Sequence, residues 1–181
     1  MTASVASIVA ATAVAATFAL MGIAAWSDIA TRIIPDRVSI GVALAGLCHR
    51  ALDGVAMLAL TVGIASVLFG LLVAAHARGW LGGGDVKLMA AAVLGFTPTG
   101  TMRFLMAMAV AGFVLAMLHL LLRRLPLHRL KRTPSRVTLR RVTWRRVMAA
   151  EGWRIRRHGS LPYGVAIALG SVWVLLTGSG G

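Results

Sequence analysis

The stretch RGWLGGGDVKLMAA, residues 78–91, separates two apolar runs and places one carboxylate, Asp85, between them. The run before it, residues 54–75, has the length that a membrane-spanning helix requires. The run after it, residues 86–96, is only about half as long. Three glycines precede Asp85 and allow backbone conformations that are closed to residues with side chains. The stretch therefore predicts a polar turn between a full-length span and a short helix.

The whole chain has the composition of a membrane protein, because 59% of its 181 residues are hydrophobic and only five are acidic. Apolar runs predict three full spans, at residues 3–26, 54–75 and 101–122, and a final, slightly short span at 161–177. Two shorter crossings are predicted at residues 38–48 and 86–96. Arg50 and Lys87 would lengthen the short crossings by reaching the headgroups. We expect an all-α, polytopic membrane protein of about six transmembrane helices, forming one domain over residues 1–181.

The positive charges predict how these helices are oriented. Six alternating spans place seventeen of the nineteen Lys and Arg residues on one side and leave Arg50 and Arg103 opposite. By the positive-inside rule the seventeen face the cytoplasm, and both termini face outward. Thirteen of them lie in a basic loop at 123–160, which we expect to contact anionic lipid. The net charge of +14 is thus typical of membrane topology rather than of a nucleic-acid partner.

Cysteine and histidine patterns argue against a cofactor or metal site. The one cysteine, Cys48, excludes a disulfide framework and a cysteine zinc cluster, and its apolar neighbours predict a core position. The five histidines are scattered without ligand spacing. We predict neither a bound cofactor nor a bound metal.

Two carboxylates, Asp28 and Asp85, fall at the same predicted membrane edge, since each ends a full span and precedes a short helix. A structural role is available to each: Asp85 as the N-cap of a helix beginning at Val86, and Asp28 in an ion pair with Arg32. Together they suggest chemistry, because two close carboxyl groups can share one proton and activate water against an amide. Which of the two acts as the base cannot be assigned, since such a pair titrates as a unit.

Other functions fit the same carboxylates. A small transporter could bind a proton or cation at two interfacial acids. A scaffold protein could hold lipid through the basic loop without any chemistry. A metal site formed by Asp28, Asp36 and Asp85 is a further alternative, because hard cations prefer oxygen ligands.

Three segments resemble the type IV prepilin peptidases, a family of intramembrane aspartic proteases. GGGD at residues 82–85 matches the family's Gly-x-Gly-Asp signature, and VKLMAA after it is similar to the usual continuation. SDIATRIIPDRVS, residues 27–39, resembles the first active-site segment, in which Asp28, Pro35 and Asp36 fill the expected places. LPYGVAIALG, residues 161–170, looks like the last membrane segment. The three segments follow one another in the expected order.

The resemblance implies an aspartic endopeptidase of the cytoplasmic (inner) membrane, with Asp28 and Asp85 as its catalytic pair. Gly82, Gly83, Gly84, Pro35, Asp36 and Lys87 would support the active site. The substrates implied are prepilins or pseudopilins, cut at the cytoplasmic face after the Gly that ends a short basic leader. The single cysteine differs from the paired Cys-x-x-Cys motifs of larger members. This difference argues against methyl transfer and for the small branch serving tight-adherence (Flp) pili. The resemblance does not indicate an oligomeric state.

Overall fold

The computed structural model of the chain describes residues 2–124 and 163–178, and within them every regular element is a helix. In chain order the six helices are α1 (Thr2–Thr31), α2 (Asp36–Ala51), α3 (Val55–Ala77), α4 (Gly83–Val93), α5 (Pro98–Arg124) and α6 (Tyr163–Leu176). Three contain apolar segments long enough to cross a bilayer: Ser4–Thr31, Val55–Ala77 and Pro98–Leu121. The predicted all-α, polytopic membrane fold is confirmed. The predicted basic loop covers residues 123–160; its first two residues lie in α5, and residues 125–160 lie outside the described residues.

The two helices after the aspartates, α2 and α4, are too short to cross a bilayer, and α4 is enclosed by protein. At 16 and 11 residues, α2 and α4 measure about 24 and 17 Å, less than the hydrocarbon thickness of a bilayer. Helix α4 packs against α2, α3 and α6 and buries most of its side chains, with Leu88 and Val93 fully enclosed. Because protein surrounds it, α4 can be short without exposing its ends to lipid.

The core lies around α4, whereas the outer faces of the bundle are apolar and exposed. Met21, Leu88, Phe104 and Ile167 are almost completely buried, and the Phe96 and Phe104 rings are 5.4 Å apart. Exposed apolar side chains lie mainly on the longer helices and include Val67, Leu71, Met106 and Phe113. Such a surface is typical of helices that face lipid.

Glycines allow two close helix crossings. A Cβ atom on Gly46 would lie 2.7 Å from the backbone nitrogen of Gly95, where α2 meets the chain just after α4. A Cβ atom on Gly170 would lie 2.9 Å from the backbone nitrogen of Met108, where α6 meets α5. Small residues at such crossings are how membrane helices approach closely. These contacts hold α2 and α6 in the positions that the site requires.

Two expectations about the carboxyl end of α2 were wrong. Arg50 does not reach outward, because its side chain is buried and its guanidinium contacts Asp53 Oδ2 at 2.7 Å and His49 Nδ1 at 3.0 Å. Cys48 is exposed rather than packed in the core. Helix α2 turns Val42 and Gly46 inward instead, so the cysteine falls on the opposite face.

Candidate active site

Asp28 lies in the last turn of α1 and is held by the beginning of α6. Its side chain is buried, and the backbone N–H of Gly164 donates a hydrogen bond to its Oδ2 atom at 2.9 Å. Backbone N–H groups in a first helical turn lack partners within the helix, and this end of a helix favours negative charge. A Cβ atom on Gly164 would lie within 3.0 Å of the Cβ, Cγ and Oδ2 atoms of Asp28. The contact therefore requires glycine.

The turn after Asp28 contains a residue, Arg32, whose backbone is left-handed. The Arg32 backbone N–H donates to the Asp28 carbonyl oxygen at 2.9 Å, and Arg32 has a φ of 60°. This left-handed helix end is normally occupied by glycine, and a residue with a side chain there costs about 1 to 2 kcal/mol. The Ser27 hydroxyl donates to the Ile33 carbonyl oxygen at 2.6 Å and fixes the same turn. Arg32 is thus kept at the site despite the strain.

Asp85 lies inside the first turn of α4 rather than at its N-cap. The helix begins at Gly83, earlier than predicted, and Gly82 is the N-cap residue. The N-cap interpretation of Asp85 was therefore wrong. A Cβ atom on Gly82 would lie 2.9 Å from Asp85 Oδ2, so the absence of a side chain at residue 82 leaves room for the carboxylate.

His76 fixes the turn that precedes α4. Its Nδ1 atom lies 2.7 Å from the Leu81 carbonyl oxygen, so the ring N–H donates to that oxygen. The ring also lies beside Gly83, where a Cβ atom would be 3.5 Å from it. The last turn of α3 is thereby connected to the glycine run.

Both aspartates open into one cavity of about 300 Å³ at this end of the bundle. Ten residues line it: Asp28, Arg32, Ile33, Ile34, Asp36, Gly82, Gly83, Gly84, Asp85 and Lys87. The structure thus brings Asp28 and Asp85 together, as the alternating topology predicts. Their catalytic role stays a prediction.

The electrostatics of the cavity favour a proton on Asp85, which lies outside the three spanning segments. Burial, and after it the neighbouring Asp28 carboxylate, raise the pKa of Asp85 to about 6, while the Arg32 guanidinium acts in the opposite direction. Near neutral pH such a pair can hold one proton between two carboxyl groups.

The predicted supporting residues are present in or beside the cavity. Asp36 Oδ1 and Lys87 Nζ form an ion pair at 2.8 Å, with both side chains more than half exposed. Lys87 thus pairs with Asp36, and its extension to the headgroups stays a prediction. Pro35 is the N-cap residue of α2, and its φ of −64° suits the start of a helix. In residues 2–124 and 163–178 no three His, Cys, Asp or Glu side chains converge as a metal site would require.

The sequence did not single out two residues of this site, Gly164 and Arg32. Gly164 lies within LPYGVAIALG, whose family resemblance was the available signal. Arg32 was considered only as a partner for Asp28, and its left-handed backbone had no signal in the sequence.

These features define a polytopic helical membrane protein with paired carboxylates in a cavity at one end of the bundle. The chain belongs to the type IV leader peptidase family, whose model matches residues 15–117, more than half of its length. The match contains Asp28, Asp85 and the glycine run, and it ends before α6. No curated protein and no solved structure matches the chain significantly.

Family membership decides among the functions that the carboxylates allowed. A type IV leader peptidase acts on prepilins, so the chain is a membrane peptidase. The transporter and scaffold hypotheses do not account for a family match that covers both aspartate segments.

Proposed function

We propose that this chain is an aspartic endopeptidase that removes prepilin leaders by hydrolysis with Asp28 and Asp85. The observation that carries the proposal is the shared cavity, into which the end of α1 brings Asp28 and the start of α4 brings Asp85. Two carboxyl groups that share a proton provide both the base and the acid that amide hydrolysis needs.

The reaction follows from the two protonation states of the pair. The ionised carboxylate takes a proton from water as the water oxygen bonds to the scissile carbonyl carbon. The protonated carboxyl group donates to the carbonyl oxygen, which becomes a hydroxyl in the tetrahedral intermediate. When the carbon–nitrogen bond breaks, a proton passes to the leaving amine and the carboxylic acid of the leader forms. Because the pair titrates as a unit, either aspartate can begin as the base.

The proposed site of action is the cytoplasmic face of the inner membrane. Arg32, Arg37, Arg78 and Lys87 lie near the same end of the bundle as the cavity, and the positive-inside rule assigns such an end to the cytoplasm. The proposed substrates are tight-adherence (Flp) or related prepilins, with a basic leader that ends in Gly before an apolar helix. We assign no methyl transfer to the chain.

The test uses membranes that contain the chain, mixed with a tight-adherence prepilin. Wild type should release the mature pilin, whereas Asp28→Asn and Asp85→Asn should each abolish cleavage while the protein stays inserted. Asp36→Asn removes a third carboxylate from the same cavity, and its kcat should stay within about tenfold of wild type. Full cleavage by either dyad variant would refute the mechanism. The mass of the mature pilin shows whether its new amino terminus is methylated.

A further inference from the structure

An apolar groove of about 560 Å³ lies on the outside of the bundle between α5 and α6. Met106, Val110 and Leu169 line it with side chains that are more than half exposed. Along α5 the groove extends from Arg103 to Ala111, which corresponds to about 12 Å of helix. One leaflet of a bilayer contributes about 15 Å of hydrocarbon, so the groove has the depth of a single leaflet.

One end of this groove carries a positive charge. Of the described residues that line the groove, only Arg103 is charged, and it follows Pro98, the first residue of α5, by five positions. Arg103 therefore lies about 8 Å along the helix, inside the apolar segment Pro98–Leu121. A charged side chain at such a depth on a lipid-facing helix is unfavourable unless it reaches an anion.

The described residues contain no acidic partner for Arg103. Helix α5 begins where α4 ends, so Arg103 lies toward the end of the bundle opposite the catalytic cavity. Three of the four described carboxylates line that cavity: Asp28, Asp36 and Asp85. The fourth, on Asp53, pairs with Arg50 at 2.7 Å. The anion for Arg103 therefore comes from outside the described residues.

A tryptophan lies at the same end of the groove. Trp173 is 60% exposed and lies three residues before the end of α6 at Leu176. Helix α6 begins beside Asp28, so its last turn lies at the end of the bundle where α5 begins. Tryptophan is enriched at the level of lipid headgroups, where its ring contacts lipid and its N–H meets polar groups. Arg103 and Trp173 thus mark the headgroup level of one leaflet.

A phospholipid supplies what this groove requires. Its phosphate can accept two N–H bonds from the planar guanidinium of an arginine, and its acyl chain covers apolar side chains deeper in the leaflet. A headgroup with a net negative charge also balances the charge of Arg103, whereas a zwitterionic headgroup brings a cation of its own. A transmembrane helix of another protein would fill a groove across the whole hydrocarbon layer, about 30 Å, and this groove spans less than half of that.

We propose that the groove between α5 and α6 binds an anionic phospholipid, with its phosphate at Arg103 and one acyl chain along the apolar lining. The site is separate from hydrolysis, because it lies at the end of the bundle opposite the catalytic cavity. The positive-inside rule directs that end away from the cytoplasm, so the lipid belongs to the outer leaflet of the membrane.

Quenching of a single tryptophan by brominated lipid tests the site. In the full chain the other four tryptophans are replaced by phenylalanine, so that Trp173 alone reports. The protein is placed in phosphatidylcholine vesicles in which a fixed fraction of the lipid carries bromine on its acyl chains. That fraction is either phosphatidylglycerol, which is anionic, or phosphatidylcholine. Phosphatidylglycerol should occupy the groove about three to five times more readily and quench Trp173 more strongly.

Substitutions of Arg103 separate charge from apolar contact. Arg103→Lys should keep the preference for phosphatidylglycerol, Arg103→Gln should abolish it, and Arg103→Glu should reverse it, because residue 103 sets the charge beside the headgroup. Equal quenching by the two lipids when Arg103 is present would overturn the proposal, as would an unchanged preference in Arg103→Gln. Absence of quenching by either lipid would also overturn it, because protein would then cover the groove.

Leu60→Trp, combined with Trp173→Phe, is the matched control. Leu60 is exposed and follows Val55, the first residue of α3, by five positions, so its depth is comparable with that of Arg103. Helix α3 begins at the same end of the bundle as α5 and contains no Lys or Arg. A tryptophan there should be quenched equally by both lipids. A preference for phosphatidylglycerol as strong as at residue 173 would overturn the assignment, because it would show general enrichment of anionic lipid around the protein.

Thermal unfolding in detergent gives a second measurement with all native tryptophans in place. Phosphatidylglycerol should raise the Tm of wild type more than phosphatidylcholine does, because a lipid that binds the folded state stabilises it. Arg103→Gln should reduce this difference by about 2 °C. The basic residues of the 123–160 segment are the same in both proteins, so the change reports on Arg103. An identical difference in the two proteins would contradict the proposal.

Discussion

The backbone N–H of Gly164 donates a hydrogen bond to Oδ2 of Asp28, 2.9 Å away and 136 positions apart in the chain. The contact joins the beginning of α6 to the end of α1 at the cavity that Asp85 shares. It holds one carboxylate oxygen of Asp28 at the beginning of α6. A helix outside the matched family region thus fixes the orientation of a proposed catalytic residue.

Gly164→Ala should reduce kcat/KM by about a hundredfold or more, because a Cβ atom there would displace the Asp28 carboxylate. Gly112→Ala is the matched control, because Gly112 lies on α5 facing α6 and its Cβ atom would meet nothing closer than 3.9 Å. It should keep nearly full activity. The measurement is the rate of prepilin cleavage at equal amounts of inserted protein, and equal rates for the two variants would contradict the assigned role.

The pH dependence of cleavage should report the paired carboxylates. A pair that must hold one proton loses activity when the second carboxyl group ionises. Because the pKa of Asp85 is raised to about 6, kcat/KM should fall with rising pH, with a midpoint near that value. Initial rates at low substrate concentration across this range provide the check. A profile that stays flat from about pH 5 to pH 8 would be inconsistent with the dyad.

Arg32 should tune this midpoint through its charge. Its guanidinium lowers the pKa of Asp85, so Arg32→Gln should move the descending limb of kcat/KM to higher pH. Arg32→Lys keeps a positive charge and should leave the limb nearer to that of wild type. A loss of activity at every pH without displacement of the limb would show a purely structural role.

Asp85→Asn should make the folded protein more stable at neutral pH. The pKa of Asp85 in the folded protein, about 6, exceeds its ordinary value of 3.8, so the folded state binds the proton more tightly than the unfolded state. Wild type therefore loses stability as the pH rises from about 4 to about 6, whereas the amide variant does not.

The expected difference is a Tm of the Asp85→Asn variant about 2 to 4 °C above wild type at neutral pH, a modest value because Asp85 is partly solvent-exposed. The difference should vanish below about pH 4. Thermal unfolding in detergent at both pH values gives the measurement. Asp36→Asn is the control and should show no such rise, because Asp36 is exposed and paired with Lys87.

Much of the fold follows from local sequence alone. Long apolar runs require helices because backbone groups in lipid must be satisfied within the chain, and these runs predicted the order of the six helices found in residues 2–124 and 163–178. The glycine run and Asp85 indicated a turn at a membrane edge, and the alternation of helices predicted that Asp28 lies at the same edge. These features depend on residues close together in the chain.

Helix ends were predicted less well than helix positions. Helix α4 begins at Gly83 rather than at Val86, because glycines can enter the first turn of a helix when tertiary contacts favour it. Arg50 is buried with Asp53 and His49 rather than extended to the headgroups. Asp53 and His49 are close to Arg50 in the chain, but the burial of Arg50 depends on how α2 packs against the other helices.

The sequence by itself determined an all-helical membrane protein with two aspartates at one membrane edge, because hydrophobic length and charge distribution are local properties of the chain. Only the tertiary structure decided that Gly164 binds Asp28, that Arg32 takes a left-handed conformation beside Asp85, and that Asp28 and Asp85 open into one cavity. Each of these depends on how α1, α2, α4 and α6 pack. Differences of about a few tenths of an ångström in the distances between packed helices are set by many contacts between segments that are distant in the chain. No single stretch of sequence encodes them.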